Sequence, residues 1–419
     1  MATDIAPPRV TRAQVLGVSL GNALEFYDFL VFTFFAVQIG KCFFPTTNPN
    51  SSLLLVLATF GAGFVTRPLG AFVIGRLGDR IGRRPMMILS FAMIGLASLG
   101  VAITPSFAAI GLAAPVLVIL FRLVQGFALG GEVGSSTAFL AEAAPAAKRG
   151  LYISMQYAGQ GAATLLAGAV GVALAAAMGD QALVDWGWRI AMGIGVTIVP
   201  IGLILRGTLP ETLHHSVSAT EPPPIASYAR VATFAFLTML SVTICTYVLN
   251  YMTTYAQDTL KMKAGIALGA TVAVGAGNLV GALIGGVMSD RNGRRPWMIW
   301  PMLVCTIGVL PGFWLLSNYR SAGMLYAVGF LLRAACSIAG TSALIAVAES
   351  LPARVRSGAL AILYAVAISM FGGTTQFVVK GLIDLTGNPL APAWYMFVAA
   401  SLGLAAMVFA RETAPGRPA

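Results

Sequence analysis

Two stretches decide the architecture of this chain: GRLGDRIGRRP at residues 75–85 and GVMSDRNGRRP at residues 286–296. Each is a short basic segment between two long apolar segments, and the two copies are offset by 211 residues (286 − 75). The same offset carries Arg122 onto Arg333. The pattern therefore predicts two duplicated halves that share one orientation.

Composition places both stretches in a membrane protein. Of the 419 residues, 58% are hydrophobic and 10% are charged, whereas soluble chains are about half apolar and a quarter charged. So few charges cannot cover a soluble body of this size, which excludes a disordered chain, a fibre and a soluble enzyme. The apolar runs have the length of helical crossings, about 20 residues each, rather than the ten-residue alternation of a barrel.

Hydropathy predicts an all-α protein with twelve membrane-spanning helices. The predicted spans are residues 14–40, 51–76, 85–104, 111–141, 150–178, 187–207, 229–256, 265–289, 296–316, 321–349, 357–384 and 391–410. The polar connection 208–228 is predicted to be a cytoplasmic linker between two six-helix bundles, residues 1–207 and 229–419. Parallel repeats of this kind imply a substrate cavity at their interface, near the bilayer midplane.

The distribution of basic residues predicts the orientation. Loop arginines and lysines concentrate on one side, and the other side has Lys41, Arg189, Lys261, Lys263 and Arg320. Cytoplasmic loops carry the excess of positive charge, so both termini are expected in the cytoplasm. The net charge of +11 therefore reflects orientation, and no nucleic-acid partner is expected.

Neither a metal site nor an enzyme centre stands out in the sequence. The four cysteines lack metal-ligand or CxxC spacing, and cysteines in apolar runs usually act as small packing residues. His214 and His215 fall in the polar linker, where solvated side chains are expected. No nucleophile–base pair is evident, so we expect no cofactor, no metal and no catalytic residues.

The duplicated loop resembles the signature motif of the major facilitator superfamily. Further stretches are similar to its metabolite–proton symporter branch, and within that branch to citrate and tricarballylate–proton symporters: GNALEFYDF from Gly21, RPLG from Arg67, RLVQGFALGGEVG from Arg122, FGGTTQF from Phe371 and TGNPLAPAWYM from Thr386. This resemblance implies a monomer in the bacterial inner membrane that binds a small anionic substrate and protons.

Acidic residues at the cytoplasmic helix ends are candidates for a gate. The repeat predicts that Asp290 faces the fifth span near Gly150 and that Asp79 faces the eleventh near Gly358, where each carboxylate would favour the start of a helix. Glu142 and Glu349 are predicted to pair with arginines of the loops. The predicted gating set is Asp79, Arg83, Glu142, Asp290, Arg294 and Glu349. The alternative is that these are ordinary membrane-flanking charges.

Ionisable residues inside the spans are the strongest functional signal, because such groups are costly in lipid. They are Glu25, Asp28, Arg67, Arg122, Glu132, Arg333 and Lys380. With a rise of about 1.5 Å per residue, most fall near the midplane, whereas Lys380 is near the outer end of its span. Protonating one acid of a balanced cluster would free positive charge for an anion, so Glu25, Asp28 and Glu132 are proton-coupling candidates.

Polar and aromatic residues complete the predicted pocket. The substrate-binding candidates are Asn22, Tyr27, Arg122, Gln125, Tyr247, Asn250, Arg333, Tyr364, Gln376 and Lys380. An arginine fork can bind two carboxylate oxygens at once. For the polar residues the alternative is hydrogen bonding between helices, for the charged residues a structural ion pair, and for Lys380 snorkelling to the headgroups.

These features predict proton-coupled uptake of a di- or tricarboxylate, with citrate or tricarballylate as leading candidates, by alternating access. One alternative is a symporter for another organic acid or a zwitterion of the same branch. A proton-driven exporter of cationic drugs is disfavoured by at least three arginines at membrane depth. A transporter-like nutrient sensor is disfavoured because the linker and tails carry no signalling domain.

Overall fold

A computed structural model describes residues 12–81, 83–130, 140, 144–207, 229–351 and 365–414. Every predicted span contains a helix. The first half comprises α1 (Arg12–Phe34), α2 (Ala36–Phe43), α3 (Pro49–Val65), α4 (Arg67–Ile81), α5 (Arg83–Ile103), α6 (Ala113–Gly130), α7 (Arg149–Ala177) and α8 (Trp188–Gly207).

The second half repeats this arrangement. It comprises α9 (Ala229–Asn250), α10 (Met252–Asp258), α11 (Ala264–Asn292), α12 (Arg294–Tyr319), α13 (Ala322–Ser350), α14 (Gly373–Thr386) and α15 (Ala391–Val408). Within the described ranges, nine helices are long and apolar enough to cross a membrane, and α1 with α2 supplies a tenth if that bent pair forms one span. The predicted linker 208–228 lies outside the described residues.

Several spans differ from the straight helices that hydropathy predicts. The first span bends by 64° between α1 and α2. The second is interrupted at Thr66, between α3 and α4, two residues before Pro68, whose ring nitrogen cannot donate a helical hydrogen bond. At the second copy of the loop motif, α11 and α12 are separated by Gly293 alone, with φ 96°. Glycine adopts this left-handed backbone at little cost, so the motif forms a tight corner.

The two halves pack against each other through α7 and α11. A Cβ atom on Gly161 of α7 would lie 2.4 Å from the backbone nitrogen of Leu279, and one on Gly275 of α11 would lie 2.3 Å from that of Leu165. Such separations exclude any side chain at either position. The glycines thus allow α7 and α11 to lie backbone against backbone at the interface between the halves.

Candidate functional site

A buried hydrogen-bond network connects Asp28 on α1 with Arg122 on α6. Nη1 of Arg122 donates to Oε1 of Gln125 over 2.7 Å, and Nε2 of Gln125 donates to Oδ2 of Asp28 over 3.3 Å and to Oγ of Ser98 over 2.5 Å. The hydroxyl of Ser98, on α5, donates to the same Asp28 oxygen. All four residues are buried. The Gln125 amide and the Ser98 hydroxyl therefore form the hydrogen-bonded connection between Asp28 and Arg122.

The Arg122 guanidinium lies among aromatic rings. Its Cζ atom is 4.4 Å from the ring centroid of Phe29, 4.5 Å from that of Phe32 and 5.2 Å from that of Phe60. The side chain has 0% exposure. In the part of the chain that the structure describes, its Nε and Nη2 atoms have no hydrogen-bond partner. Arg122 therefore retains donors that a carboxylate ligand would satisfy.

A residue of the second half completes this aromatic cluster. The ring of Tyr247, on α9, lies 5.6 Å from that of Phe64 and 6.2 Å from that of Phe60, centroid to centroid. The guanidinium of Arg67 stacks on Phe64 at 4.3 Å and on Phe29 at 4.8 Å. The predicted candidates Arg67, Arg122 and Tyr247 thus share one cluster at the boundary of the halves.

Arg333, the repeat mate of Arg122, occupies a polar pocket of the second half. Its Nη1 donates to Oγ1 of Thr246 over 2.6 Å, and Thr246 directly precedes Tyr247 on α9. The side chain is buried, and its Nε atom has no hydrogen-bond partner among the residues the structure covers. Arg333 thus contacts Thr246 directly, whereas Arg122 is connected to the neighbouring Tyr247 through the ring of Phe60.

Several predicted pocket residues make contacts between helices. The hydroxyl of Tyr27 donates to the carbonyl of Ala191 over 3.0 Å, and Asn22 exchanges hydrogen bonds of 3.2 Å with Gln156. These contacts favour the structural alternative for Asn22 and Tyr27. Both ends of the Gln125 amide are hydrogen-bonded within the Asp28–Arg122 network. Its geometry therefore favours a structural role over a direct contact with substrate.

The other predicted site residues include one that connects the two halves, two that are buried and two that lie outside the described residues. Oγ1 of Thr33 donates to Oε1 of Gln376 over 2.5 Å, which joins α1 to α14 across the two halves. Glu25 is buried on α1 and Asn250 is buried at the end of α9. Glu132 and Tyr364 lie outside the described residues.

Lys380 forms a polar cluster at the end of the molecule that the sequence predicts to face outside. Its Nζ lies 2.8 Å from Oδ2 of Asp258 and 2.6 Å from Oδ1 of Asp384, and it donates to Oδ1 of Asn50 over 3.0 Å. With 2% exposure, Lys380 does not snorkel to the headgroups. Asn50 belongs to the first half, so Lys380, Asp258, Asp384 and Asn50 form what we term the outer latch.

A second contact between the halves lies at the opposite end of the molecule, which the sequence predicts to be cytoplasmic. The backbone N–H groups of Gly150 and Leu151 donate to the two carboxylate oxygens of Asp290 over 2.8 and 2.9 Å. This is the contact at the start of α7 that the repeat predicts. Its counterpart at Asp79 cannot be compared, because the side chains of Asp79 and Arg83, and Gly358, lie outside what the structure describes.

An ion-pair cluster supports the Asp290 contact. Arg294 lies 2.9 Å from Asp290 and donates two hydrogen bonds, of 3.1 and 2.9 Å, to the carboxylate of Glu349. Arg149, from the first half, lies 3.9 Å from Glu349. The predicted pairing of Glu349 with a loop arginine is therefore present, and Glu142 is outside the described residues. The gating role of this cluster stays a prediction.

The segment after α15 is attached to the same cluster. The carboxylate of Glu412 accepts hydrogen bonds from the backbone N–H groups of Arg294 and Arg295, at 2.9 and 3.1 Å. Thr413 donates to Glu349 over 2.9 Å. Desolvation alone would raise the pKa of Glu412, but these backbone donors outweigh it and hold the pKa below its usual value.

Sequence reasoning missed Ser98, Asp258, Asp384 and Glu412. The spacing of Lys380 and Asp384, four residues apart on a helix, was an available signal for an ion pair. Ser98 gave no signal, because a lone serine in an apolar helix is common. Among the described residues, no group of three or more His, Cys, Asp or Glu side chains could hold a metal ion.

The sequence of the chain is similar to those of known membrane transporters. A family model described as "Sugar (and other) transporter" matches residues 15–222 and 224–416. A citrate-proton symporter of Salmonella typhi is 35% identical over 410 residues, covering 96% of this chain and 94% of the relative. An alpha-ketoglutarate permease of Escherichia coli strain K12 is 34% identical over 392 residues, covering 91% and 89%.

Other similar proteins carry different substrates. A proline/betaine transporter of Salmonella typhimurium strain LT2 is 31% identical over 422 residues, covering 96% of this chain and 84% of the relative. A solved structure of the Escherichia coli xylose transporter, in a partially occluded inward-open conformation, has a TM-score of 0.76 at 19% identity and covers 97% of this chain and 99% of that chain. This last similarity concerns the fold.

Proposed function

Because the chain belongs to the sugar (and other) transporter family of the major facilitator superfamily, we propose that it is a proton-coupled symporter that takes up a di- or tricarboxylate. Citrate is the first candidate, since citrate-proton symporters share over a third of its residues. Alternating access across the bacterial inner membrane, with both termini in the cytoplasm, would carry the anion inward together with protons.

Two buried arginines carry the proposal. Arg122 and Arg333 come from opposite halves, and Nε and Nη2 of Arg122 and Nε of Arg333 have no hydrogen-bond partner in the described chain. A buried donor left unsatisfied costs about 1–3 kcal/mol, so a carboxylate that reached either arginine would recover that cost. A ligand with two or more carboxylates would bridge the halves, as a transported substrate must.

A zwitterionic substrate is the second candidate, because a proline/betaine transporter is among the relatives. Its cationic group would require aromatic faces or an acid. The rings of Phe29, Phe32 and Phe60 already face the Arg122 guanidinium, and that of Phe64 faces Arg67. The aromatic rings are therefore already in contact with the guanidinium groups of Arg67 and Arg122. This arrangement favours an anionic substrate over a betaine.

Contacts at both ends support alternating access. We infer that the outer latch closes the extracellular side, since Lys380 of the second half donates to Asn50 of the first. Gln38 and Gln257 add a 2.9 Å hydrogen bond between the halves nearby. Asp290 closes the cytoplasmic side against α7. Opening on the extracellular side would break the outer latch and keep the Asp290 contacts, and opening on the cytoplasmic side would do the reverse.

Uptake into proteoliposomes tests the function. With an inward proton gradient, labelled citrate should accumulate above its external concentration, and a protonophore should abolish accumulation. A sodium gradient should have no effect. Competition by tricarballylate, 2-oxoglutarate, proline and glycine betaine would rank the substrate classes. Accumulation driven by sodium would contradict proton coupling, and competition by betaine alone would contradict an anionic substrate.

Replacing Asp290 by asparagine should slow turnover much more than it weakens binding. The neutral side chain loses the charge-assisted hydrogen bonds to the start of α7 and the favourable interaction with the helix dipole. We expect citrate exchange to fall at least about 10-fold, while citrate affinity in detergent changes less than about 3-fold. Asp79→Asn is expected to behave alike.

Asp180→Asn is the matched control, because Asp180 is an exposed carboxyl on the opposite side. It should leave both exchange and affinity unchanged. A collapse of equilibrium binding in Asp290→Asn would place this residue in the binding site and refute its role in the gate.

A further inference from the structure

We propose that Ser98 and Gln125 form a hydrogen-bond relay whose direction reverses when Asp28 is protonated, and that this reversal frees Arg122 for the substrate. The inference rests on the proton-coupled anion symport proposed above. It assigns a positioning role to two residues that bind neither the proton nor the anion, and it accounts for the separation of Asp28 from Arg122 by an amide.

The present direction of the relay follows from donor chemistry. A guanidinium only donates and a carboxylate only accepts. The amide oxygen of Gln125 must therefore face Arg122, and its NH2 group must face Asp28 and Ser98, as observed. The Ser98 hydroxyl also donates to Asp28. Every bond in this arrangement suits an ionised Asp28.

Protonation of Asp28 at Oδ2, the oxygen that Ser98 and Gln125 contact, is incompatible with this arrangement. The new O–H of Asp28 must donate, and Oγ of Ser98 is its nearest acceptor. The Ser98 hydroxyl then turns to donate to the amide oxygen of Gln125, which requires the amide to rotate by half a turn. Its NH2 group would then face Nη1 of Arg122, donor against donor. The only covalent bond formed in this step is the O–H bond of Asp28; all other changes are exchanges of hydrogen bonds.

Arg122 thereby loses its acceptor at Nη1 and becomes a buried cation whose three nitrogens have no acceptor among the described residues. Leaving such donors unsatisfied is expensive, and the loss of the Asp28 charge adds one net positive charge. A substrate carboxylate would supply both the missing acceptors and the missing charge. Proton and anion therefore stabilise each other's binding, as reciprocal linkage requires.

Other groups around Asp28 do not replace the relay. Its Oδ1 atom lies beside the backbone of Gly195 on α8 and has no hydrogen-bond partner among the described residues. Among the described residues, the charged and titratable groups that face the network or lie next to it are Arg122 on α6, Arg67 on α4, Tyr247 on α9, and Glu25 and Tyr27 on α1. The α5 contribution is the neutral Ser98.

The test compares citrate binding at pH 5.5 and pH 7.5 by isothermal titration of the purified full-length protein. Gln125→Met keeps the length of the side chain and removes its hydrogen bonds, and Ser98→Ala removes the hydroxyl alone. Thr104→Val is the control, since Thr104 is buried directly after α5 and its hydroxyl donates to the carbonyl of Gly100 at the end of that helix. Affinity ratios between the two pH values are normalised to wild type, so that the titration of citrate itself cancels.

We expect both relay variants to bind citrate with a pH ratio at least about 3-fold smaller than that of wild type. The number of protons taken up per citrate, measured in weak buffer, should fall by half or more. Thr104→Val should match wild type in both measurements. If Gln125→Met does not fold, Ser98→Ala decides alone, because it deletes a single atom from the network.

The outcomes separate the relay from the proposed function. If Asp28→Asn loses the pH dependence while Gln125→Met and Ser98→Ala keep it, the relay is overturned and proton coupling stands. If Asp28→Asn itself keeps the wild-type ratio, the proton binds elsewhere and the relay falls with that assignment. If the wild type binds neither citrate nor 2-oxoglutarate, the proposed substrate class is wrong.

Discussion

Replacing Arg122 by alanine should weaken citrate binding by roughly 2–5 kcal/mol, the cost of truncating one partner of a buried charged pair. At about 1.4 kcal/mol per tenfold change, this corresponds to a loss of about 30-fold to several thousand-fold. The loss has two sources: the bidentate anchor disappears, and Asp28 is left as a buried carboxylate without its cation. Arg333→Ala should lose affinity over the same range, because its guanidinium is equally buried in the other half.

Arg122→Lys separates charge from geometry. A lysine restores the positive charge but cannot present the planar fork, so we expect only part of the affinity to return. Arg230→Ala is the control, since Arg230 is exposed at the start of α9 and should bind citrate as wild type does. Isothermal titration at pH 5.5 measures all four variants. Unchanged affinity in both alanine variants would make the arginines structural and remove the main argument for an anionic substrate.

Asp28→Asn should abolish proton-driven accumulation while it preserves exchange. Asparagine cannot be ionised or protonated in this pH range, so the site stays in a state that resembles protonated Asp28, with the positive charge of Arg122 uncompensated. Citrate should still bind, with affinity that no longer rises as the pH falls. In proteoliposomes, internal citrate should then only reach the external concentration, whereas counterflow should continue at a rate within about 5-fold of wild type.

Asp185→Asn controls for the loss of a carboxyl, because Asp185 is exposed and lies just before the predicted sixth span. This variant should accumulate citrate normally. If Asp28→Asn still accumulates citrate against its gradient, the coupled proton is carried by Glu25 or Glu132, the two other intramembrane acids. The same measurements on Glu25→Gln and Glu132→Gln would then identify which one.

The duplicated motif and the hydropathy pattern were sufficient to predict the spans and the place of Asp290. The limits of the spans and the place of Asp290 both depend on position along a helix, and the sequence gives that position directly. The 211-residue offset related two loops whose contacts follow from symmetry, and the carboxylate at the start of α7 followed from helix electrostatics. The bend of 64° between α1 and α2 was not predicted, since neither glycine nor proline marks Phe35.

The composition of the network around Asp28 was beyond sequence reasoning for a physical reason. Hydropathy gives the depth of a residue in the membrane, but it does not give the rotation of each helix about its axis. Ser98 meets Asp28 only because α5 turns that face toward α1, and Lys380 meets Asp258 only because α14 lies beside α10. The sequence predicts Gln125 as a substrate-binding residue, but its actual partners depend on three helices at once.

The hydrogen bonds that Glu412 accepts at the start of α12 are insensitive to mild acidification. A carboxyl whose pKa is lower in the folded than in the unfolded protein stabilises the fold above the unfolded value, about 4.3 for glutamate, and loses that effect only as the pH falls through the lowered value. Because the pKa of Glu412 is lowered, its hydrogen bonds to Arg294 and Arg295 persist from pH 5 to pH 8. A fluorophore attached beyond Thr413 would therefore report on this end of α12 without a contribution from the titration of Glu412 between pH 5 and pH 8.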